Sequence, residues 1–175
     1  MENKINKSNN NNSNLVEMIK SACFDLQFRR DVRRERLNSP TYYRWKAQFI
    51  ILANKEKEKT LYKLKEKLNC GKLYFDKKGN LRFIIQKIDD LNNNLAQFLK
   101  EIKNNLPSKK QKEIALWLKA VEIIYKYKGK KLLRWQKNDF KEILNLYNVI
   151  SKIKQKSKKE AKWISEAKII LESIQ

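Results

Sequence analysis

The spacing of apolar residues changes period several times along the chain, and each change marks an element. Residues 1–14 hold seven asparagines and almost nothing apolar, so they read as an Asn-rich tail that is disordered alone and ordered only by a partner. Leu15, Met18, Ile19 and Ala22 then follow the i, i+3, i+4, i+7 spacing of a helix with one buried face. The period drops to two at Phe24, Leu26 and Phe28, which alternate with Asp25, Gln27 and Arg29. After a turn at Asn38-Ser39-Pro40 the alternation returns. Tyr43, Trp45, Ala47, Phe49 and Ile51 point inward, while Tyr42, Arg44, Lys46 and Gln48 point outward. Leu61, Leu64 and Leu68 predict a second helix, with Gly71 as its C-terminal cap. A second hairpin turns at Lys78-Gly79-Asn80, with Leu73, Phe75, Leu81, Phe83 and Ile85 inside. Lys72, Tyr74, Arg82 and Gln86 face out from it.

The remainder is helical. Leu91, Leu95, Phe98, Leu99 and Ile102 form one apolar stripe, ended before Pro107. Ile114, Trp117, Leu118, Val121 and Tyr125 form a second stripe, and Phe140, Ile143, Leu144, Tyr147 and Ile150 a third. A basic linker, Lys152 to Lys159, leads to a terminal helix carrying Trp163, Ala167, Ile170, Leu171 and Ile174. The pattern gives an α+β chain in three parts: the tail at 1–14, a domain at 15–150, and the linker and amphipathic helix at 151–175.

Charge narrows the function. Forty-one Lys and Arg stand against 19 Asp and Glu, a net +22. A compact body so charged repels itself, and a polyanion relieves the repulsion. The longest apolar stretch, Ala47 to Ala53, falls far short of the ~20 residues that span a bilayer, so no membrane partner is expected. With no histidine the usual general base, the Ser/His and Cys/His arrangements and most zinc sites are excluded. Three scattered glycines make no phosphate loop. Cys23 and Cys70 have no partner at metal-ligand spacing and read as small buried hydrophobes in a reducing compartment. No cofactor, metal site or catalytic residue is expected.

Phe, Tyr, Met, Ile, Asn and Lys total 86 residues against 21 for Gly, Ala, Arg and Pro. The first set has AT-rich codons, which points to an AT-biased genome such as a mitochondrial one and to an organelle-encoded protein. Such bias raises lysine but does not cluster arginine. Six of the eight arginines (Arg29, Arg30, Arg33, Arg34, Arg36, Arg44) lie within sixteen residues.

The order helix, hairpin, helix, hairpin, helices resembles the LAGLIDADG homing endonucleases over about residues 15–150. The motif position reads Leu15-Val16-Glu17-Met18-Ile19-Lys20-Ser21-Ala22-Cys23-Phe24. Asn69 to Tyr74, Ile88 to Leu91, Phe98, Pro107 to Lys110, Trp117 to Lys128 and Phe140 to Leu144 are similar to later family segments in the right order. The resemblance implies an α-β-β-α-β-β-α saddle, an antiparallel sheet covered by helices, with extra C-terminal helices. It also implies divalent metal held by carboxylates at the ends of two motif helices. Here the catalytic-acid slot falls on Ala22 if matched from Leu15, and on Ser21 if matched back from Phe24; neither is a carboxylate. Asp25, on the strand, is the one conceivable substitute, and its plainer reading is a solvated or salt-bridged surface aspartate. Glu17 and Cys23 replace the motif glycines that let two helices approach, so the family homodimer is not expected. The expectation is a scaffold that kept its binding face and lost its cutting centre.

On that face Arg29, Arg33, Arg44, Lys46 and Gln48, with Arg30, Arg34 and Arg36 in the loop, are placed to meet phosphates. Lys72, Tyr74, Lys77, Lys78, Arg82 and Gln86 extend the set. Tyr42 and Tyr43 beside Arg44 could stack on unpaired bases, which RNA loops offer more readily than duplex DNA; for Tyr43 and Trp45 core packing is the preferred reading. The leading expectation is a non-catalytic RNA binder, a structural protein of the mitochondrial ribosome bound to rRNA, with other ribosomal proteins as further candidate partners. It stands ahead of an intron-splicing maturase. The alternative is an active metal-dependent DNA endonuclease using Asp25.

Overall fold

The computed structural model describes residues 13–30, 43–155 and 162–174, with the side chains of residues 162 and 163 outside that description. A helix at 13–21 (α1) leads into strands β1 (Cys23–Arg30) and β2 (Tyr43–Ala53), helix α2 (Glu58–Leu68) and strands β3 (Lys72–Phe75) and β4 (Leu81–Ile85). Helices α3 (Ala96–Ile102), α4 (Ser108–Lys126), α5 (Lys137–Ile153) and α6 (Lys162–Ser173) follow. The four strands form one sheet in the order β1-β2-β4-β3. The chain divides into two compact units, one from Met1–Asp25 and Gln48–Ile114, the other from Leu26–Ala47 and Ala115–Gln175.

In the first unit α1 buries Leu15, Met18, Ile19 and Ala22 and turns Glu17 and Lys20 outward as an ion pair, as the spacing predicts. β4 lies antiparallel to β2, from Phe49↔Ile85 to Ala53↔Leu81, and to β3, from Lys72↔Ile84 to Phe75↔Leu81. Phe24, Phe49 and Phe83 meet on the inner face, with ring centroids 5.3 Å apart from Phe24 to Phe49 and 6.3 Å from Phe49 to Phe83. Leu61 and Leu64 of α2 are fully buried. Each such side chain contributes roughly 1.5–3 kcal/mol of burial energy.

Two expectations about this hairpin are corrected. The residue that closes α2 is Asn69, left-handed at φ 47°, with Asn94 donating its amide to the Leu68 carbonyl at 3.0 Å. Gly71 (φ +82°) serves the entry to β3 instead: a Cβ there would lie 2.5 Å from the Phe83 ring. The alternation puts Phe75 inside, yet it is 60% exposed. It ends an edge strand, where alternation sets the side of the sheet but nothing continues beyond to cover it. Before α3 the helix opens into one π-helical segment, Asp90–Leu95, which still buries Leu91 and Leu95.

In the second unit the Phe140 ring lies 5.9 Å from Phe28, 5.9 Å from Trp45 and 6.1 Å from Trp135, edge-on to each. Trp135 stacks on Tyr127 at 4.5 Å. The Tyr127 hydroxyl donates to Asp139 at 2.6 Å and accepts from the Gln136 amide at 3.0 Å, fixing the start of α5. Lys126 and Tyr127 hold the Asp139 carboxyl below its ordinary range. In α4 the buried stripe includes Ile114, Trp117, Val121 and Ile124; Tyr125 is exposed and Leu118 half-buried, because Ile124, not Tyr125, continues the 3.6-residue period. On α5 and α6 Tyr147, Ile170 and Leu171 are half-buried and Ile164 is buried. The 1–12 part of the tail, the turn at 38–40, residues 156–159 of the linker and the Trp163 side chain lie outside the described residues.

Candidate nucleic-acid interface

Alternation along β2 sends Trp45, Ala47, Phe49 and Ile51 into the core and Arg44, Lys46, Gln48, Ile50 and Leu52 to the opposite face, which is exposed at Arg44 and Leu52. In the first unit that face is crossed by two rows set by strand register. One runs Ile50, Ile84, Lys72; the next runs Leu52, Arg82, Tyr74. Directly opposed residues share a face and touch. The Arg82 guanidinium lies 5.8 Å from the Tyr74 ring centre, within cation–π range, and its Nε has no hydrogen-bond partner among the described residues. Leu52 is 58% and Tyr74 42% exposed. Gln86, beyond β4, is exposed too.

Lys77 and Lys78 are exposed at the hairpin tip. The one acid of the hairpin, Asp76, accepts from the Lys78 amide (2.8 Å), the Asn80 amide (3.0 Å) and the Asn80 side chain (3.3 Å). Those bonds, the Asn80 amide first, lower its pKa. The carboxylate therefore holds the turn and leaves Lys72 and Lys77 without a carboxylate partner among the described residues.

In the second unit the open side of β1 and β2 is cationic. Arg29, Arg30 and Arg44 are exposed and Lys46 half-exposed, and Arg29 donates its Nε to Gln27. Tyr43 is not an open platform: its ring stacks on Phe28 at 5.3 Å and 7°, and its hydroxyl donates to Glu166 at 3.2 Å. Arg33, Arg34, Arg36 and Tyr42 lie outside the described residues. Gln48, which the alternation turns outward, is only 6% exposed, so it does not present its amide as a groove-facing residue would. Cys23 is exposed where burial was expected, since it stands opposite Phe24 in the alternation. Cys70 is partly buried, and that burial pushes its thiol up to about 11.

The end of α1 is occupied by the protein's own groups. Ser21 turns its hydroxyl back to the Met18 carbonyl at 2.9 Å. The Ala22 carbonyl accepts from Lys110 Nζ at 3.0 Å, and the same ammonium reaches Glu113 at 2.9 Å and lies 5.2 Å from the centre of the Phe24 ring. Glu113 is buried. Sequence reasoning does not find this tie, although Lys110 and Glu113 carry the i, i+3 spacing of an ion pair. Asp25 is not a solvated surface group: it is 7% exposed. Among the described residues no three acidic or thiol side chains gather as a metal site, and no helix is long and apolar enough to cross a membrane.

A family model described as LAGLIDADG endonuclease matches residues 4–121, well over half of the chain. The chain belongs to the LAGLIDADG endonuclease family. Its fold matches 92 solved chains, homing endonucleases among them. The archaeal intron-encoded homing endonuclease I-Vdi141I complexed with DNA superposes with a TM-score of 0.70 at 15% identity, covering 94% of this chain and 96% of that one. The homing endonuclease I-TnaI gives 0.61 at 17% identity, covering 94% and 97%. The LAGLIDADG meganuclease I-AabMI bound to uncleaved DNA gives 0.58 at 23% identity, covering 77% and 42%. No curated protein sequence matches significantly. The α+β architecture inferred from the segment order, helices with an antiparallel four-stranded sheet, is the observed one.

Proposed function

We propose that this LAGLIDADG protein binds RNA through its open sheet face and does not cut it, serving as a structural, rRNA-binding component of the mitochondrial ribosome. One observation carries the reading. At the end of the motif helix the two candidate acid slots hold Ser21 and Ala22, and the Lys110 ammonium lies on the Ala22 carbonyl. A hard divalent cation needs oxygen anions where this site presents a cation. The exposed Arg29, Arg30 and Arg44 retain the charge and fork geometry that pair with phosphates. An intron-splicing maturase would use the same face; co-sedimentation with ribosomal particles in high salt separates the two.

A second reading, an active metal-dependent DNA endonuclease, is favoured by the burial of Asp25 just beyond α1, where a carboxylate could be held in place. It requires magnesium-dependent cleavage that Asp25→Asn abolishes. The proposed function requires salt-sensitive affinity for RNA with no cleavage of RNA or DNA under the same conditions. Loss of all binding at low salt, or magnesium-dependent cutting, overturns it.

A further inference from the structure

We infer that the β3–β4 corner of the open face is a stacking platform for an unpaired nucleobase, with Tyr74 as the ring on which the base lies. The inference rests on the nucleic-acid reading above and names the form of ligand this corner takes. Leu52 and Tyr74 flank Arg82 in one cross-strand row. With strands about 4.8 Å apart, the two outer side chains stand roughly 10 Å apart, so a base on the Tyr74 ring lies over the Tyr74–Arg82 half of the row. Both are exposed, and the guanidinium between them has no acidic partner among the described residues.

Charge decides what covers this patch. Lys72 stands in the adjoining row, Lys77 and Lys78 are exposed at the tip, and Asp76 is committed to the turn. A ring set beside Lys72 and Lys77, which have no carboxylate partner among the described residues, fits a ligand that brings a flat π-face and a phosphate together. A duplex keeps its base faces stacked on one another and presents only base edges, the thymine methyl among them, so it leaves no base plane for the Tyr74 ring. An unpaired nucleotide covers the ring and meets the lysines at once. Tyr43 has no such role, because Phe28 lies against its ring.

The test compares the affinities of the full chain for a short labelled single strand, as RNA and as DNA, and for a duplex of the same sequence. Tyr74→Phe should bind the single strands as wild type does. Tyr74→Leu and Tyr74→Ala should weaken them about 10-fold while leaving duplex affinity unchanged. A 2-aminopurine in the strand should be quenched by wild type and not by Tyr74→Leu. Salt-sensitive binding that ignores Tyr74, or equal losses for strand and duplex, overturns this inference alone. So does a protein partner captured by wild type and lost in Tyr74→Leu with nucleic-acid affinity intact. No binding to any of the three probes at low salt overturns the proposed function as well.

Discussion

The end of α1 and the β3–β4 corner both carry cations beside aromatic rings, and they treat those cations oppositely. Lys110 is enclosed, with a carbonyl, a carboxylate and the Phe24 ring around it. Arg82 lies beside an exposed Tyr74, its Nε is buried without a hydrogen-bond partner among the described residues, and the exposed Lys72 and Lys77 stand nearby. A charge whose partners are internal stabilises the fold; a buried donor without one costs free energy, and only an exposed cation can meet a ligand. The end of α1 is a closed structural joint, and the exposed Lys72 and Lys77 of the hairpin stand apart from it.

Substitutions can separate these two roles. The largest effect is expected from Lys110→Met, which takes the ammonium away from the buried Glu113 carboxylate. Breaking a buried pair from one side costs about 3–5 kcal/mol, measurable by urea denaturation, and the Lys110→Met/Glu113→Leu double variant should recover most of it. A Lys110→Met protein as stable as wild type would dissolve the contrast.

Next comes Gly71→Ala, where the new methyl meets Phe83 and the backbone has φ +82°. A loss of about 1–3 kcal/mol is expected, with a lower thermal midpoint as the check. Arg82→Met should stay within about 0.5 kcal/mol of wild-type stability and yet lower RNA affinity. In the second unit, removing Arg29 or Arg44 should reduce the slope of log affinity against log salt by about 1 for each phosphate no longer neutralised. Slopes unchanged in both variants would remove these arginines from the interface.

The smallest effect is one of pH. Asp76 has a folded pKa below its ordinary value, so its contribution to the turn is present at neutral pH, above the unfolded pKa. It is lost as pH falls through the lowered folded value. Amide exchange at Lys78 and Asn80 should therefore be protected near neutrality and lose protection in acid, while Asp76→Asn should flatten that dependence. Protection that persists below the folded pKa would show that the carboxylate does not hold the turn.

Much of the scaffold is legible in the sequence because periodicity reports burial directly. The strict alternation from Trp45 to Ile51 sets the two faces of β2, and Leu61, Leu64 and Leu68 set the buried stripe of α2. The failures share a cause. Alternation gives Phe75, Gln48 and Asp25 a side of the strand, but exposure also depends on what lies over that side. Phe75 ends an edge strand uncovered, whereas Gln48 and Asp25 are covered despite being polar. Tyr43 and Tyr74 look alike in sequence, each within two residues of a basic one. Only packing distinguishes them: Phe28 takes one ring, and the other remains open.

By itself, then, the sequence determined the period of each element, the excess of positive charge and the absence of an acid at either motif slot, because these depend on residue type and local spacing. The tertiary structure decided which charges are consumed. Lys110 is brought to Ala22 across 88 positions of chain, and Tyr74 meets Arg82 only through the β3–β4 register. Pairings between residues distant in sequence are fixed by packing, and packing decides whether a cation is enclosed as a structural tie or left exposed.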